Sequence, residues 1–149
     1  MFEDAPRRVV TGVIDGAHVI TEDGAAPNTF WGGAVGVSEL YWSPSARRHV
    51  DDGIDREGRG FPLEPPAGGA SARIIRMPGI PDGADPDSTW LRVDGDDPER
   101  PGMHATDTLD LMVVLEGSVV MGLDDGERII GTGEYVIQRG TQHRWRPAD

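Results

Sequence analysis

Turn dipeptides divide the last third of the chain into segments that are too short for typical helices. Glu116-Gly117, Asp125-Gly126 and Arg139-Gly140 separate runs of strand length, several of them rich in apolar residues. Such spacing predicts an antiparallel meander with its strands at Leu109–Leu115, Ser118–Leu123, Glu127–Ile130, Tyr135–Gln138 and Gln142–Arg146. Because Leu109–Leu115 is apolar apart from Asp110, we expect that strand to be buried on both faces.

The first two thirds of the chain also favour strands and turns. The 149 residues include 21 Gly and 12 Pro, and few stretches show a helical period. Asp15-Gly16 suits a two-residue hairpin turn. The predicted strands are Arg8–Ile14, Ala17–Thr21, Thr29–Trp42 with a bend or bulge, Ser71–Met77 and Ser88–Val93. Ser43–Gly69 is predicted to be a long surface loop with one short helical turn.

The predicted fold class is therefore all-β, in one structural domain. Closure of an antiparallel sheet into a barrel or sandwich is how such folds hide their edges. We expect residues 1–70 to form an N-terminal β extension and loop packed on a barrel of residues 71–149.

Charge and composition exclude several classes of partner. The net charge of −12 argues against nucleic acid and anionic membrane surfaces, which are both polyanions. No apolar run approaches the roughly 20 residues of a membrane helix, and Met1–Arg8 does not have the pattern of a signal peptide. The absence of cysteine excludes thiolate ligands and disulfides. A cytoplasmic location is the default expectation.

Three residues have the composition of an open metal site. His104, Asp110 and His143 would supply two imidazoles and one carboxylate, a set that leaves positions for water or substrate. Neighbouring ligands of one ion lie only about 3 Å apart, whereas six residues of straight strand span roughly 20 Å. We therefore expect the chain to reverse near Asp107-Thr108 and a closed all-β fold to deliver His143.

The same segments resemble the two motifs of the cupin superfamily. His104-x-Thr106, Asp110 and Gly117 match the spacing of the first motif. Gly133, Gly140 and His143 match the second. Departures from the family pattern are Thr106 in place of a second histidine, Asp110 in place of Glu, Gln138 in place of Pro and Pro147 in place of Asn.

This resemblance implies a small jelly-roll β-barrel, commonly a homodimer, with a divalent metal ion (Fe, Mn, Zn or Ni). The implied function is that of a lyase, decarboxylase, dehydratase or isomerase on a small oxygenated metabolite, with oxygen activation as a further option for Fe(II). Asp110 and His143 are the catalytic candidates, and His104, Asp110 and His143 the metal ligands. The substrate-binding candidates are Thr106, Met112, Tyr135, Arg139 and Trp145.

Two other interpretations stay open at this point. The pocket could bind a small polar ligand without metal or catalysis, through hydrogen bonds and stacking on Trp145. Alternatively the barrel could serve mainly as a dimer partner. For single residues, Trp145 could equally be a core plug, and His18 and His49 are most simply solvated.

Overall fold

The computed structural model describes residues 4–32, 35–45 and 60–149. It divides into two compact units, Met1–Arg76 and Met77–Asp149. The strands are β1 (Arg7–Ile14), β2 (Ala17–Ala25), β3 (Asn28–Gly32), β4 (Val35–Ser43), β5 (Ala70–Arg76), β6 (Leu109–Val113), β7 (Ser118–Leu123), β8 (Gly126–Gly131), β9 (Tyr135–Arg139) and β10 (Arg144–Pro147). All their pairings are antiparallel.

The predicted N-terminal hairpin is confirmed. β1 pairs with β2 around Asp15 and Gly16, whose φ angles of 50° and 81° are both positive. A tight turn with positive φ at both central residues matches the twist of the strands that it joins. Asp is among the few residues that tolerate this conformation, and Gly adopts it without strain.

The predicted single strand over Thr29–Trp42 is wrong, because two strands occupy this stretch. β3 pairs with β4, and β4 pairs in turn with β5. The ring of Trp31 lies where a side chain on Gly36 would project, so the glycine that suggested a bend instead admits a close cross-strand contact. An irregularity does occur between Glu39 and Tyr41, in the pairing with β5.

The sheet of β3, β4 and β5 buries a carboxylate. Glu39 is fully buried, opposite Asn28 on β3 and opposite Arg73 on β5. Its Oε2 accepts a hydrogen bond from Asn28 Nδ2 at 3.1 Å, and its Oε1 accepts one from Arg73 Nη2 at 3.2 Å. Polar residues in register thus join all three strands.

The five strands predicted after residue 108 are confirmed to within two residues at each end, but not their pairing as a meander. β7 pairs with β8 on one side and with β10 on the other, while β6 pairs with β9. The unit's buried apolar side chains are Trp90, Met103, Val114 and Val120.

Two predicted strands are corrected in this unit. Leu109–Leu115 is not buried on both faces, because Leu109 and Leu111 are 66% and 77% exposed while the alternate residues Asp110 and Met112 are half-buried. Ser88–Val93 is not a strand. A 3₁₀ helix occupies Pro86–Thr89. The Asp85 side chain accepts a hydrogen bond from the backbone N–H of Asp87, and Pro86 lies in the first turn. Local side-chain bonds of this kind outcompete a sheet ladder.

The described strands form four separate sheets, so the all-β class is established and a closed barrel is not seen among these pairings. β5, predicted to open the barrel, belongs to the first unit. Of the predicted loop Ser43–Gly69, residues 46–59 lie outside the described residues, as does His49. In the described residues there is no helix with the length and apolar character required to span a bilayer.

Candidate functional site

His104 and His143 come together as the sequence predicted. Their backbones form an isolated antiparallel bridge, with N···O distances of 3.0 and 2.9 Å. Their ring centroids lie 4.3 Å apart. His143 is 4% exposed and His104 is half-buried, so the pair has one enclosed and one accessible ring.

Both rings are held in the same tautomer by the same kind of hydrogen bond, from Nδ1–H to a backbone carbonyl. Nδ1 of His104 lies 2.8 Å from the carbonyl oxygen of Gly102, and Nδ1 of His143 lies 2.8 Å from that of Thr141. A carbonyl oxygen can only accept, so each Nδ1 must carry the proton. In the neutral rings each Nε2 therefore offers a lone pair. Metal-binding histidines commonly have this arrangement.

Asp110 reaches this pair through another side chain. The expected reversal near Asp107-Thr108 is wrong, since the chain only bends there. His104 pairs with His143, and Asp110 pairs with Gln138. Residues 104–110 therefore run antiparallel along residues 138–143 without reversing direction. Asp110 consequently faces Gln138 across the β6–β9 pair.

Gln138 links the carboxylate to the imidazole. Its Nε2 lies 3.0 Å from Asp110 Oδ2 and 3.1 Å from His143 Nε2. Both of those atoms are acceptors, so the group between them must be the amide NH₂, which has two hydrogens to donate. Gln138 is 6% exposed. Asp110 and His143, which were expected to bind the same metal ion, are instead linked by hydrogen bonds from the Gln138 amide.

Two hydroxyls extend the same chain of hydrogen bonds. Thr108 Oγ1 donates to Asp110 Oδ1 at 2.8 Å. Thr106 Oγ1 lies 2.7 Å from Thr108 Oγ1 and must donate to it, because the Thr108 proton is already used. We call Thr106, Thr108, Asp110, Gln138, His143 and His104 the polar cluster.

Residues that precede His104 fix the position of Gly102, whose carbonyl orients the His104 ring. Asp96 Oδ2 accepts the backbone N–H of Gly102 at 2.7 Å, and Arg92 binds both oxygens of that carboxylate. These bonds lower the pKa of Asp96 to about 2, with the Arg92 side chain as the main cause and the Gly102 amide adding to it. Asp96 thus positions the residue that orients His104.

The surroundings of His143 disfavour its protonated form. Burial lowers the pKa of His143 below its ordinary 6.5, and the nearby His104 lowers it further. The Thr141 carbonyl and the Asp110 charge oppose this shift without cancelling it.

The predicted substrate-binding residues divide between two faces. Trp145 lies beside the cluster, with its ring centroid 6.1 Å from that of His143 in an edge-on arrangement. Met112 is half-buried on the Asp110 side of β6. Tyr135 and Arg139 alternate with the inward-facing Gln138 on β9 and are exposed, so they do not join the cluster.

Sequence analysis missed Gln138 and Thr108 as site residues. Gln138 was visible only as a departure from the cupin motif, and its role depends on strand register. In the part of the chain that the structure describes, no three His, Cys, Asp or Glu side chains gather into a metal-binding group. Two of the expected ligands therefore meet, and the third lies one amide away.

Comparison with known proteins gives short matches. No family model matches the chain. It is 48% identical over 52 residues to phomopsin biosynthesis cluster proteins C′ and D of Diaporthe leptostromiformis, a segment covering 32% of this chain and 28% of each relative. It is 43% identical over 48 residues to oryzines biosynthesis cluster protein J of Aspergillus oryzae, covering 32% of this chain and 27% of that protein. The match thus spans less than a third of each relative's length.

Proposed function

We propose that the unit Met77–Asp149 carries the site of a divalent-metal-dependent enzyme acting on a small oxygenated metabolite. The observation that carries the proposal is the matched tautomer of His104 and His143. Both rings donate Nδ1–H to a backbone carbonyl two residues earlier. Such a bond orients an imidazole and raises the basicity of its Nε2 as a ligand.

The donor set fits a divalent ion in its chemistry. Two imidazoles and one carboxylate suit Fe, Mn, Zn or Ni and leave open positions. Asp110 and His143 are bridged by the Gln138 amide, so an ion held by both groups must compete with that amide. His104 Nε2 makes no hydrogen bond to another described residue, and it needs no such displacement.

The reaction type is that of a lyase, decarboxylase, dehydratase or isomerase. A bound divalent ion supplies Lewis acidity, which polarises a carbonyl or stabilises an enolate. The chain's own residues hold the ligand and its protons. Asp110 and His143 are the catalytic candidates, and the buried Thr106 hydroxyl lines the site. Trp145 presents an aromatic ring beside His143.

Fold and relatives support this proposal at a coarser level. The pairing of β6 with β9 and of β7 with β10 around the β7–β8 hairpin is of the non-sequential kind used in Greek-key and jelly-roll folds. Closure into a cupin barrel is part of the proposal. Relatives named as biosynthesis cluster proteins favour work on a metabolite. Cytoplasmic residence is likewise proposed, for a chain without cysteine.

A second candidate is a metal-free site that binds a small ligand. It is favoured by the continuous hydrogen bonds from Thr106 through Asp110 and Gln138 to His143. A network whose members satisfy one another is stable without an ion. The two candidates differ in what His104 and His143 bind.

Metal analysis separates the candidates. Protein purified without chelator and titrated with Mn²⁺, Zn²⁺, Ni²⁺ or anaerobic Fe²⁺ should bind near one ion per chain. His104→Ala and His143→Ala should each weaken that binding by about tenfold or more, as losses around metal sites do. His18→Ala removes an exposed hairpin histidine and should change nothing. Substoichiometric binding under replete conditions would defeat the metal proposal and leave the second candidate.

A further inference from the structure

The hydrogen bonds inside the polar cluster determine which of its atoms are left for a ligand. Gln138 uses both amide hydrogens, on Asp110 and on His143. Thr108 uses its hydroxyl hydrogen on Asp110, and Thr106 therefore uses its own on Thr108. Each donor of these three side chains is committed within the cluster.

The unused side-chain positions of the cluster are acceptors. His104 and His143 both commit Nδ1–H to carbonyls, so His104 contributes only the Nε2 lone pair. Gln138 contributes Oε1, which bonds no other described residue. The Gln138 amide oxygen can only accept, and a neutral His104 ring whose Nδ1–H is already committed offers only a lone pair at Nε2.

The charge of the cluster points the same way. Asp110 is its only carboxylate, which accepts from Thr108 and from Gln138, and the cluster contains no lysine or arginine. Trp145 is a neutral donor beside His143, and its indole N–H brings no positive charge. An anion that entered this site without a cation would meet a carboxylate and two lone pairs, at a cost that grows as water is excluded.

We infer that the metal-free site takes a neutral ligand through its hydroxyl groups, which donate to His104 Nε2 and Gln138 Oε1, and that it admits a carboxylate ligand only together with a divalent cation. The ligand class is thus a hydroxylated, uncharged molecule. The first part rests on the cluster alone, whereas the second rests also on the proposed function. The two parts can therefore fail separately.

The test compares three aromatic probes with EDTA present at pH 7.5. Catechol has two hydroxyl donors, 1,2-dimethoxybenzene has the same ring without donors, and benzoate has a charge and no donor. Binding is followed by the ¹⁵N shifts of the histidine rings, which first report the tautomers. We expect unprotonated Nε2 in both rings, and a shift of His104 Nε2 with catechol.

The donor requirement predicts a difference in affinity. Catechol should bind about tenfold or more tightly than either other probe, as expected for hydrogen bonds gained or missed. His104→Phe should abolish this preference, and His18→Phe should preserve it. Equal binding of catechol and 1,2-dimethoxybenzene, or of catechol and benzoate, overturns the inference. The probe series in the unmodified protein decides this even where His104→Phe fails to fold.

Addition of Zn²⁺ in place of EDTA tests the second part. Benzoate should then bind at least about tenfold more tightly than without the ion. If Zn²⁺ binds and benzoate affinity does not rise, the cation requirement for anions is wrong. If Zn²⁺ itself does not bind, the proposed metal site fails while the catechol result still stands.

Discussion

His104 depends on residues that precede it in the chain. Arg92 donates to Asp96, Asp96 accepts the backbone N–H of Gly102, and the Gly102 carbonyl accepts a hydrogen bond from His104 Nδ1–H. Gly102 has a φ of 80°, and a side chain there would lie 2.6 Å from the Leu91 carbonyl. Glycine at this position therefore satisfies both a conformation and a close contact.

Asp96 makes the stability of this loop depend on pH. Its pKa is lowered to about 2 in the folded protein, from an ordinary value of 3.8. A depressed carboxyl pKa stabilises the folded state fully above the unfolded value, and this contribution is lost as the pH falls from about 4 towards 2. Asp96→Asn should therefore lower the free energy of unfolding at pH 6, and the difference from the unmodified protein should shrink by pH 2.5.

Urea unfolding followed by tryptophan fluorescence measures this difference at both pH values. Asp94→Asn changes an exposed carboxylate of the same loop and should have little effect at either pH. An Asp96→Asn difference that is the same at pH 6 and pH 2.5 would show that the carboxylate charge does not stabilise the loop.

At the scale of elements, turn chemistry was readable from the sequence and strand partners were not. Asp15-Gly16 predicted its hairpin because few residues tolerate positive φ. The strand at Ser118–Leu123 was located to the residue. Asp85 and Pro86 start a 3₁₀ turn that includes the first two residues of the predicted strand Ser88–Val93. His104, Asp110 and His143 were selected as candidates from their spacing, whereas the position of Gln138 between Asp110 and His143 depends on the register of β6 on β9.

The buried ion pair of the first unit should be much more sensitive than its exposed counterpart. Arg73 pairs with Glu39 at 3.2 Å, with side-chain exposures of 13% and 0%, whereas Arg7 pairs with Asp23 at 2.7 Å with 71% and 43%. Arg73→Met takes a cation away from a fully buried carboxylate, which costs about 3 kcal/mol or more. Arg7→Met should cost about 1 kcal/mol or less.

Both variants remove one arginine from the same unit, so the net charge changes equally. Urea unfolding at neutral pH gives the two free energies of unfolding. Equal losses would mean that the burial of Glu39 does not set the strength of the pair.

At the scale of the whole molecule, an uncovered apolar face accompanies a large negative charge. The outer side of the β6–β9 pair carries Leu111 opposite Ile137 and Val113 opposite Tyr135. Three of these side chains are more than two-thirds exposed: Leu111 at 77%, Tyr135 at 78% and Ile137 at 68%. A contiguous apolar patch is typical of a surface that contacts a partner. The apolar residues of Leu109–Leu115 predicted a strand buried on both faces, and contact of this outer face with a second molecule would bury it.

The cupin resemblance predicts a homodimer, and we predict that its interface is this apolar face of the β6–β9 pair. Light scattering should give a mass near twice the 16.1 kDa of one chain. Leu111→Lys should shift the protein to the single-chain mass, because burying an unpaired ammonium in an apolar interface is costly. It should leave the folded chain intact, since the site is exposed in one molecule. Ile129→Lys adds the same charge at a 70% exposed position on β8 and should remain dimeric. An unmodified protein of single-chain mass would disprove the homodimer, and a dimeric Leu111→Lys would place its interface elsewhere.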